Sequence, residues 1–62
     1  MKYLGFKDLL ALCKSLACSQ GFYGRLYRDL LELDEDSIAE IERIMQEKKF
    51  TDDLDIIMWI EG

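Results

Sequence analysis

Residues 20–33 read QGFYGRLYRDLLEL, and their pattern predicts the helix around which the fold is built. A helix turns about 100° per residue, so from Phe22 onward the apolar side chains share one half of the circumference and the charged ones share the other. An apolar arc of about 180° is wider than the ~100° stripe with which a surface helix covers one neighbour. We therefore expect a central helix at about residues 22–33 that contacts two or three other elements of an all-α, compact bundle of four short helices.

A first helix is predicted upstream, from residue 5 or 6 to residue 17–19, because its apolar residues form one continuous arc. Gly21 is suited to the left-handed position that often follows a helix C-terminus. Gly24 is unusual inside a helix, where glycine costs about 1 kcal/mol relative to alanine. It indicates either the close approach of another backbone or a helix that starts only after it.

A third helix is predicted to end near Lys48, with a narrow apolar stripe formed by Ile38, Ile41, Ile44 and Met45. Ser37 and Glu40 match a capping box, and Asp34 is an alternative cap for a slightly earlier start. Phe50, after the end of this helix, is expected to turn back into the core. The polar residues of the helix are expected to be solvated: Glu40, Glu42, Arg43, Gln46 and Glu47.

A last helix is predicted at residues 52–61, capped by Thr51 or Asp52. Its apolar residues face nearly every direction on a helical wheel, as in helices buried on all sides: Leu54, Ile56, Ile57, Met58, Trp59 and Ile60. A chain of 62 residues offers too little protein to surround such a helix. We therefore expect part of Ile56, Trp59 and Ile60 to be exposed. A strand at 56–60 is the alternative, but no second strand-like stretch offers it a partner.

The composition predicts a single domain, residues 1–62, with half of its residues apolar and about a third charged. A chain this short has a marginal core, so it needs good packing or a second copy. The net charge of −5 is uneven, since residues 1–28 carry +4 and residues 29–62 carry −9. The acidic half is either a solvated surface or one that repels or imitates nucleic acid.

The two cysteines, Cys13 and Cys18, lie five residues apart in a predicted helix, a spacing that does not point both side chains the same way. We expect reduced structural thiols and hence a cytoplasmic protein. The N-terminus is leucine-rich, but Lys7, Asp8 and Lys14 interrupt every apolar run, so we expect neither a signal peptide nor a membrane span.

Little in the sequence favours catalysis or a cofactor. There is no histidine, no glycine-rich phosphate loop and no CxxC pair, so we expect no enzyme activity, cofactor or zinc site. Acidic residues at positions 34–36 lack the central glycine and the final glutamate of a calcium loop.

Nucleic-acid binding is a weaker alternative, carried by the mixture of Tyr23, Arg25, Tyr27 and Arg28 on one helix. Against it, both tyrosines fall on the apolar arc and the whole chain is acidic. Each arginine also has an acid four residues later, in the weaker orientation for a helical ion pair: Arg25 with Asp29 and Arg28 with Glu32.

The segment SQGFYGRLYRDLLELDED, followed by a closing hydrophobic-Trp-Ile-Glu tail, resembles small uncharacterised proteins of phage and conjugative elements in Gram-positive bacteria. The resemblance covers residues 19–62. It implies an accessory, non-enzymatic, cytoplasmic role and brings no established chemistry with it.

The interpretation favoured by these features is a protein–protein interaction module that binds another protein or a second copy of itself. The expected contact residues lie on the last helix and on the central helix: Ile56, Trp59, Ile60, Tyr23 and Tyr27. The alternatives are an acidic decoy that occupies the nucleic-acid site of a target protein, with Glu40, Glu42 and Glu47 as its acids, and weak nucleic-acid binding through Arg25 and Arg28.

Overall fold

The structure is a computed structural model that describes residues 3–62, and these residues form four α-helices. In chain order they are α1 (Phe6–Leu16), α2 (Gly21–Leu31), α3 (Glu35–Lys48) and α4 (Asp53–Glu61). The described part of the chain contains no strand, so the strand alternative for 56–60 is wrong. The all-α fold class and its four short helices are confirmed.

The centre of the bundle is α1, which corrects the expected place of α2 as the hub. α1 packs against each of the other three helices, whereas α2, α3 and α4 make little contact with one another. The physical reason lies at the edges of the wide apolar arc of α2. Phe22 at one edge is 57% exposed and Leu31 at the other is 58% exposed. A chain of this size covers only the middle of such an arc.

The core contains residues from all four helices and from the segment between α3 and α4. Four of its nine members lie on α1, which is why that helix is central. The buried residues are Phe6, Leu9, Leu12, Cys13, Tyr23, Leu30, Met45, Phe50 and Ile56. The prediction that Phe50 turns back into the core is confirmed.

Aspartates cap the two C-terminal helices. Asp34 precedes α3, and its Oδ1 accepts a hydrogen bond from the Ser37 amide at 2.9 Å. The hydrogen bonds with Ser37 lower the pKa of the Asp34 carboxyl. The predicted Ser37–Glu40 capping box is wrong, because α3 starts at Glu35 and Ser37 is already its third residue. Asp52 caps α4 in the same way.

The glycines differ from expectation. Gly21 is the first residue of α2 and, among the described residues, only Lys49 has a positive φ, 58°. The left-handed role predicted for Gly21 is therefore wrong, since α1 ends at Leu16 and a turn over 17–19 joins the helices. Gly24 lies inside α2, and a β-carbon there would be 3.5 Å from the β-carbon of Ala17. That is ordinary contact, so alanine fits.

Two side chains of α3 hold the start of α1, which corrects the expectation that they are simply solvated. Oε2 of Glu42 accepts a hydrogen bond from the Phe6 amide at 2.6 Å. Nε2 of Gln46 donates to the Leu4 carbonyl at 3.3 Å, and the Leu4 amide donates to the Phe50 carbonyl at 2.9 Å. The N-terminal segment is thus fixed between α3 and the α3–α4 connection.

Candidate protein-binding groove

An apolar groove opens to solvent among the four helices and has a volume of about 320 Å³. Every helix contributes to its lining, and every lining side chain is apolar. The lining residues are Leu9 of α1, Phe22, Leu26 and Leu30 of α2, Ile41 of α3, and Trp59 and Ile60 of α4. The character of its lining is complementary to apolar groups, and none of the lining side chains carries an acid or a base.

The α2 wall of the groove follows from residue spacing. Phe22, Leu26 and Leu30 are four residues apart, so they lie on one side of the helix. Leu30 is buried at the bottom, Leu26 is half-buried, and Phe22 is 57% exposed. The Phe22 ring also packs edge-on against the ring of Tyr23, with centroids 5.3 Å apart. The groove therefore has a hydrophobic floor and an aromatic rim.

Tyr23 fixes α2 to the end of α4. Its side chain is fully buried, and its hydroxyl donates a hydrogen bond to Oε2 of Glu61 at 2.6 Å. This hydrogen bond, with burial, raises the pKa of Tyr23 to about 12. Tyr23 was predicted to contact a partner, and this is wrong because the ring is part of the core.

The α4 wall consists of Trp59 and Ile60, both half-buried. The Trp59 ring packs on the Phe50 ring at a centroid distance of 5.4 Å, so Trp59 both closes the core and borders the groove. Ile56 is fully buried, which corrects its assignment as a contact residue.

The exposed apolar residues of α4 are instead Leu54, at 61%, and Met58, at 65%. α4 buries only one of its residues completely, since it packs on α1 and has no helix on its outer side. The helix is partly exposed, as expected from the length of the chain, but its exposed residues are Leu54 and Met58, and Ile56 is enclosed.

Of the five predicted contact residues, the structure places Trp59 and Ile60 together on the groove. Tyr27 is half-buried and does not line it. The other five lining residues were not predicted from the sequence to contact a partner. Phe22, Leu26 and Leu30 belong to the apolar arc of α2 that the spacing predicts, but the part of that arc that stays uncovered depends on how α4 packs. The missed residues are Leu9, Phe22, Leu26, Leu30 and Ile41.

A second hollow, of about 640 Å³, lies at the N-terminal end of α1 and is more polar. Its one α3 carboxylate, Glu42, is already bonded to the Phe6 amide, so we assign this region a structural role. Among residues 3–62 no three histidine, cysteine or acidic side chains are grouped to hold a metal ion. Cys13 is a buried thiol whose pKa is raised by burial, and Cys18 is an exposed thiol.

The charged side chains bear on both alternative functions. Within residues 3–62 the only ion pairs join Arg43 to Glu40, at 2.5 Å, and to Glu47, at 2.9 Å. Two acids of the proposed decoy surface are thus partly neutralised. The predicted ion pairs of Arg25 and Arg28 within α2 do not form.

The surroundings of α2 also weaken the case for base stacking. Arg25 and Arg28 are exposed, as a nucleic-acid contact requires, but the Tyr23 ring beside them is enclosed in the core. Stacking on bases needs an accessible aromatic face.

No family model matches this sequence, and no curated protein or solved structure matches it either. Over residues 3–62, none of the helices combines the length and the apolar character needed to cross a lipid bilayer.

Proposed function

We propose that the chain is a non-enzymatic protein–protein interaction module whose groove binds an amphipathic helix of a protein. The observation that carries this proposal is the groove itself, an open surface with seven apolar lining residues from four helices. Helices that bind such grooves insert apolar side chains spaced three or four residues apart. Aromatic residues are enriched at such interfaces, and two of them, Phe22 and Trp59, border this groove.

The resemblance of residues 19–62 to small proteins of phage and conjugative elements supports an accessory role in a mobile element. Two free cysteines, one buried and one exposed, support a cytoplasmic location, where thiols stay reduced. A decoy role receives less support, because Glu40 and Glu47 are bonded to Arg43.

Site-specific photo-crosslinking in the cell from which the sequence comes tests the proposal. A benzoylphenylalanine at position 22, on the groove rim, should yield a crosslinked protein. The same group at position 54 is the matched control, since Phe22 and Leu54 are exposed to similar degrees but only Phe22 lines the groove.

The groove variant Ile60→Glu should abolish the product at position 22, because a carboxylate would be placed in an apolar wall. Circular dichroism of the variant confirms that the helices are retained. Equal products at positions 22 and 54, or a product at 22 that survives Ile60→Glu, would contradict the proposal.

A further inference from the structure

We propose that Tyr23 and Glu61 are positioning residues that hold two walls of the groove at the spacing a partner helix requires. This inference rests on the proposed function and identifies what prepares the groove for its partner. Neither residue lines the groove. Their hydrogen bond joins α2 to α4, the helices that carry the two walls.

The first step is the place of the two residues along the chain. Tyr23 directly follows Phe22, and Glu61 directly follows Ile60, so each member of the hydrogen bond is the chain neighbour of a lining residue. Consecutive α-carbons are about 3.8 Å apart, and all four residues belong to helices. The separation of Tyr23 from Glu61 therefore sets the separation of Phe22 from Ile60.

The second step is the scarcity of other links between these walls. α2 and α4 each pack on α1 and make little contact with one another. Within residues 3–62, the hydroxyl of Tyr23 and the carboxylate of Glu61 form the only hydrogen bond between the two helices, and no ion pair joins them. This hydrogen bond is therefore the one directional contact that relates the α2 wall to the α4 wall.

The third step is the strength of this contact. Its length of 2.6 Å lies in the range of hydroxyl hydrogen bonds to a charged acceptor, which are stronger than those between neutral groups. The Tyr23 side chain is fully buried, so its hydroxyl without an acceptor would be an unsatisfied buried group. Glu61 is exposed, so its carboxylate without a donor can turn to water. Loss of either group therefore releases the end of α4 from α2.

The consequence for binding is that the groove is shaped before a partner arrives. A site that already has its bound geometry avoids the cost of ordering on association. When only a fraction of the chains has that geometry, the apparent affinity falls by the same fraction. Tyr23 and Glu61 thus affect binding without touching the partner.

Energy transfer from Trp59 measures the spacing in the free, full chain. Trp59 lines the α4 wall and is the only tryptophan in the sequence. A dansyl group on Arg25→Cys, in a Cys18→Ser background, places the acceptor on the exposed side of α2. Cys13 is fully buried and is not expected to react. We expect one narrow distribution of distances in this parent chain.

Two substitutions remove the hydrogen bond and one retains it. Tyr23→Phe and Glu61→Ala should each add a longer distance that becomes the major one, because losing a hydrogen bond to a charged group shifts an equilibrium by about tenfold or more. Glu61→Gln should keep the narrow distribution, since the amide oxygen also accepts a hydrogen bond.

Tyr27→Phe is the matched control. It removes a hydroxyl from the same helix, but the Tyr27 hydroxyl makes no hydrogen bond within residues 3–62 and the residue lies outside the groove lining. Circular dichroism checks that each variant retains its helices. If Tyr23→Phe loses them, the comparison of Glu61→Ala with Glu61→Gln decides alone.

The crosslinking experiment at position 22 provides the partner arm. Its product should fall at least about twofold in Tyr23→Phe and in Glu61→Ala, because less than half of the chains then have the prepared groove. The product should be unchanged in Tyr27→Phe and in Glu61→Gln.

Unchanged distances in Tyr23→Phe or Glu61→Ala chains that keep their helices overturn this inference. The interaction module still stands in that case if position 22 gives a product that depends on Ile60. Longer distances with an undiminished product also overturn the inference, because the spacing of the walls would not matter to the partner. If position 22 of the parent chain gives no groove-dependent product, the proposed function falls and this inference falls with it.

Discussion

Substitution of Gly5 by alanine should destabilise the fold even though alanine suits the backbone at that position. The backbone of Gly5 is extended, with φ −129° and ψ −164°, a conformation open to any residue. The obstacle is the side chain of Glu42. A β-carbon on residue 5 would lie 2.7 Å from Oε2 and 2.9 Å from Cδ of Glu42, closer than atoms pack. Glu42 is held in this place because it accepts the hydrogen bond of the Phe6 amide.

The size of the effect follows from two opposing contributions. To admit the methyl group, the carboxylate of Glu42 must withdraw and leave the Phe6 amide without its acceptor. A hydrogen bond to a charged group contributes about 1.5–3 kcal/mol. Replacing glycine by alanine restricts the unfolded chain and stabilises by about 0.4–1 kcal/mol. The difference predicts a loss of about 1–2 kcal/mol in the free energy of unfolding.

The sign of the effect should reverse when Glu42 is removed. In a Glu42→Ala background the β-carbon meets no carboxylate, so Gly5→Ala should stabilise the chain by about 0.4–1 kcal/mol. Urea denaturation followed by circular dichroism measures all four members of this cycle. Gly21→Ala is the control, because a β-carbon there has no atom within 4 Å and should stabilise in both backgrounds.

The reasoning is refuted if Gly5→Ala stabilises the wild-type chain, or if its effect is the same in both backgrounds. Either result would mean that the Glu42 carboxylate does not hold the N-terminus of α1. The polar contacts between α3 and the start of α1 would then contribute little to the fold.

Four further measurements test other parts of the structure. Gly24→Ala should raise the free energy of unfolding by about 0.5–1 kcal/mol, because the glycine is inside a helix and alanine fits. Lys49→Gly should raise it by about 1 kcal/mol in urea titrations, since φ at this position is 58°. Ile56→Ala should cost about 2–4 kcal/mol in thermal unfolding while Leu54→Ala costs under about 0.5 kcal/mol, as one side chain is fully buried and the other is 61% exposed. Tyr23 has a pKa of about 12 in the fold against about 10 when unfolded, so its stabilising contribution is complete below pH 10 and is lost as the pH rises to 12. A Tyr23→Phe variant, followed by circular dichroism over the same range, should lack this loss.

Local rules predicted the helices well and their ends less well. The spacing of apolar residues predicted the four helices, and the two caps that form, Asp34 and Asp52, were among the candidate caps, Asp34 as the alternative to Ser37 and Asp52 beside Thr51. The capping box at Ser37 failed because two caps one turn apart compete and only one helix start is realised. The left-handed role of Gly21 failed because the chain between α1 and α2 turns without a positive φ.

The helices, their apolar faces and the surplus of apolar surface could be predicted from the amino-acid pattern, because these depend on residues three or four positions apart. Only the packing of the whole chain sets which helix is central and which apolar residues remain uncovered. It enclosed Ile56 and Tyr23, left Phe22 at the rim of a groove, and turned Glu42 from a surface acid into the anchor of α1. These outcomes depend on how the four helices pack around one small core. A helical wheel cannot predict them, because it shows the direction of each side chain from its own helix axis but not which other helix lies in that direction.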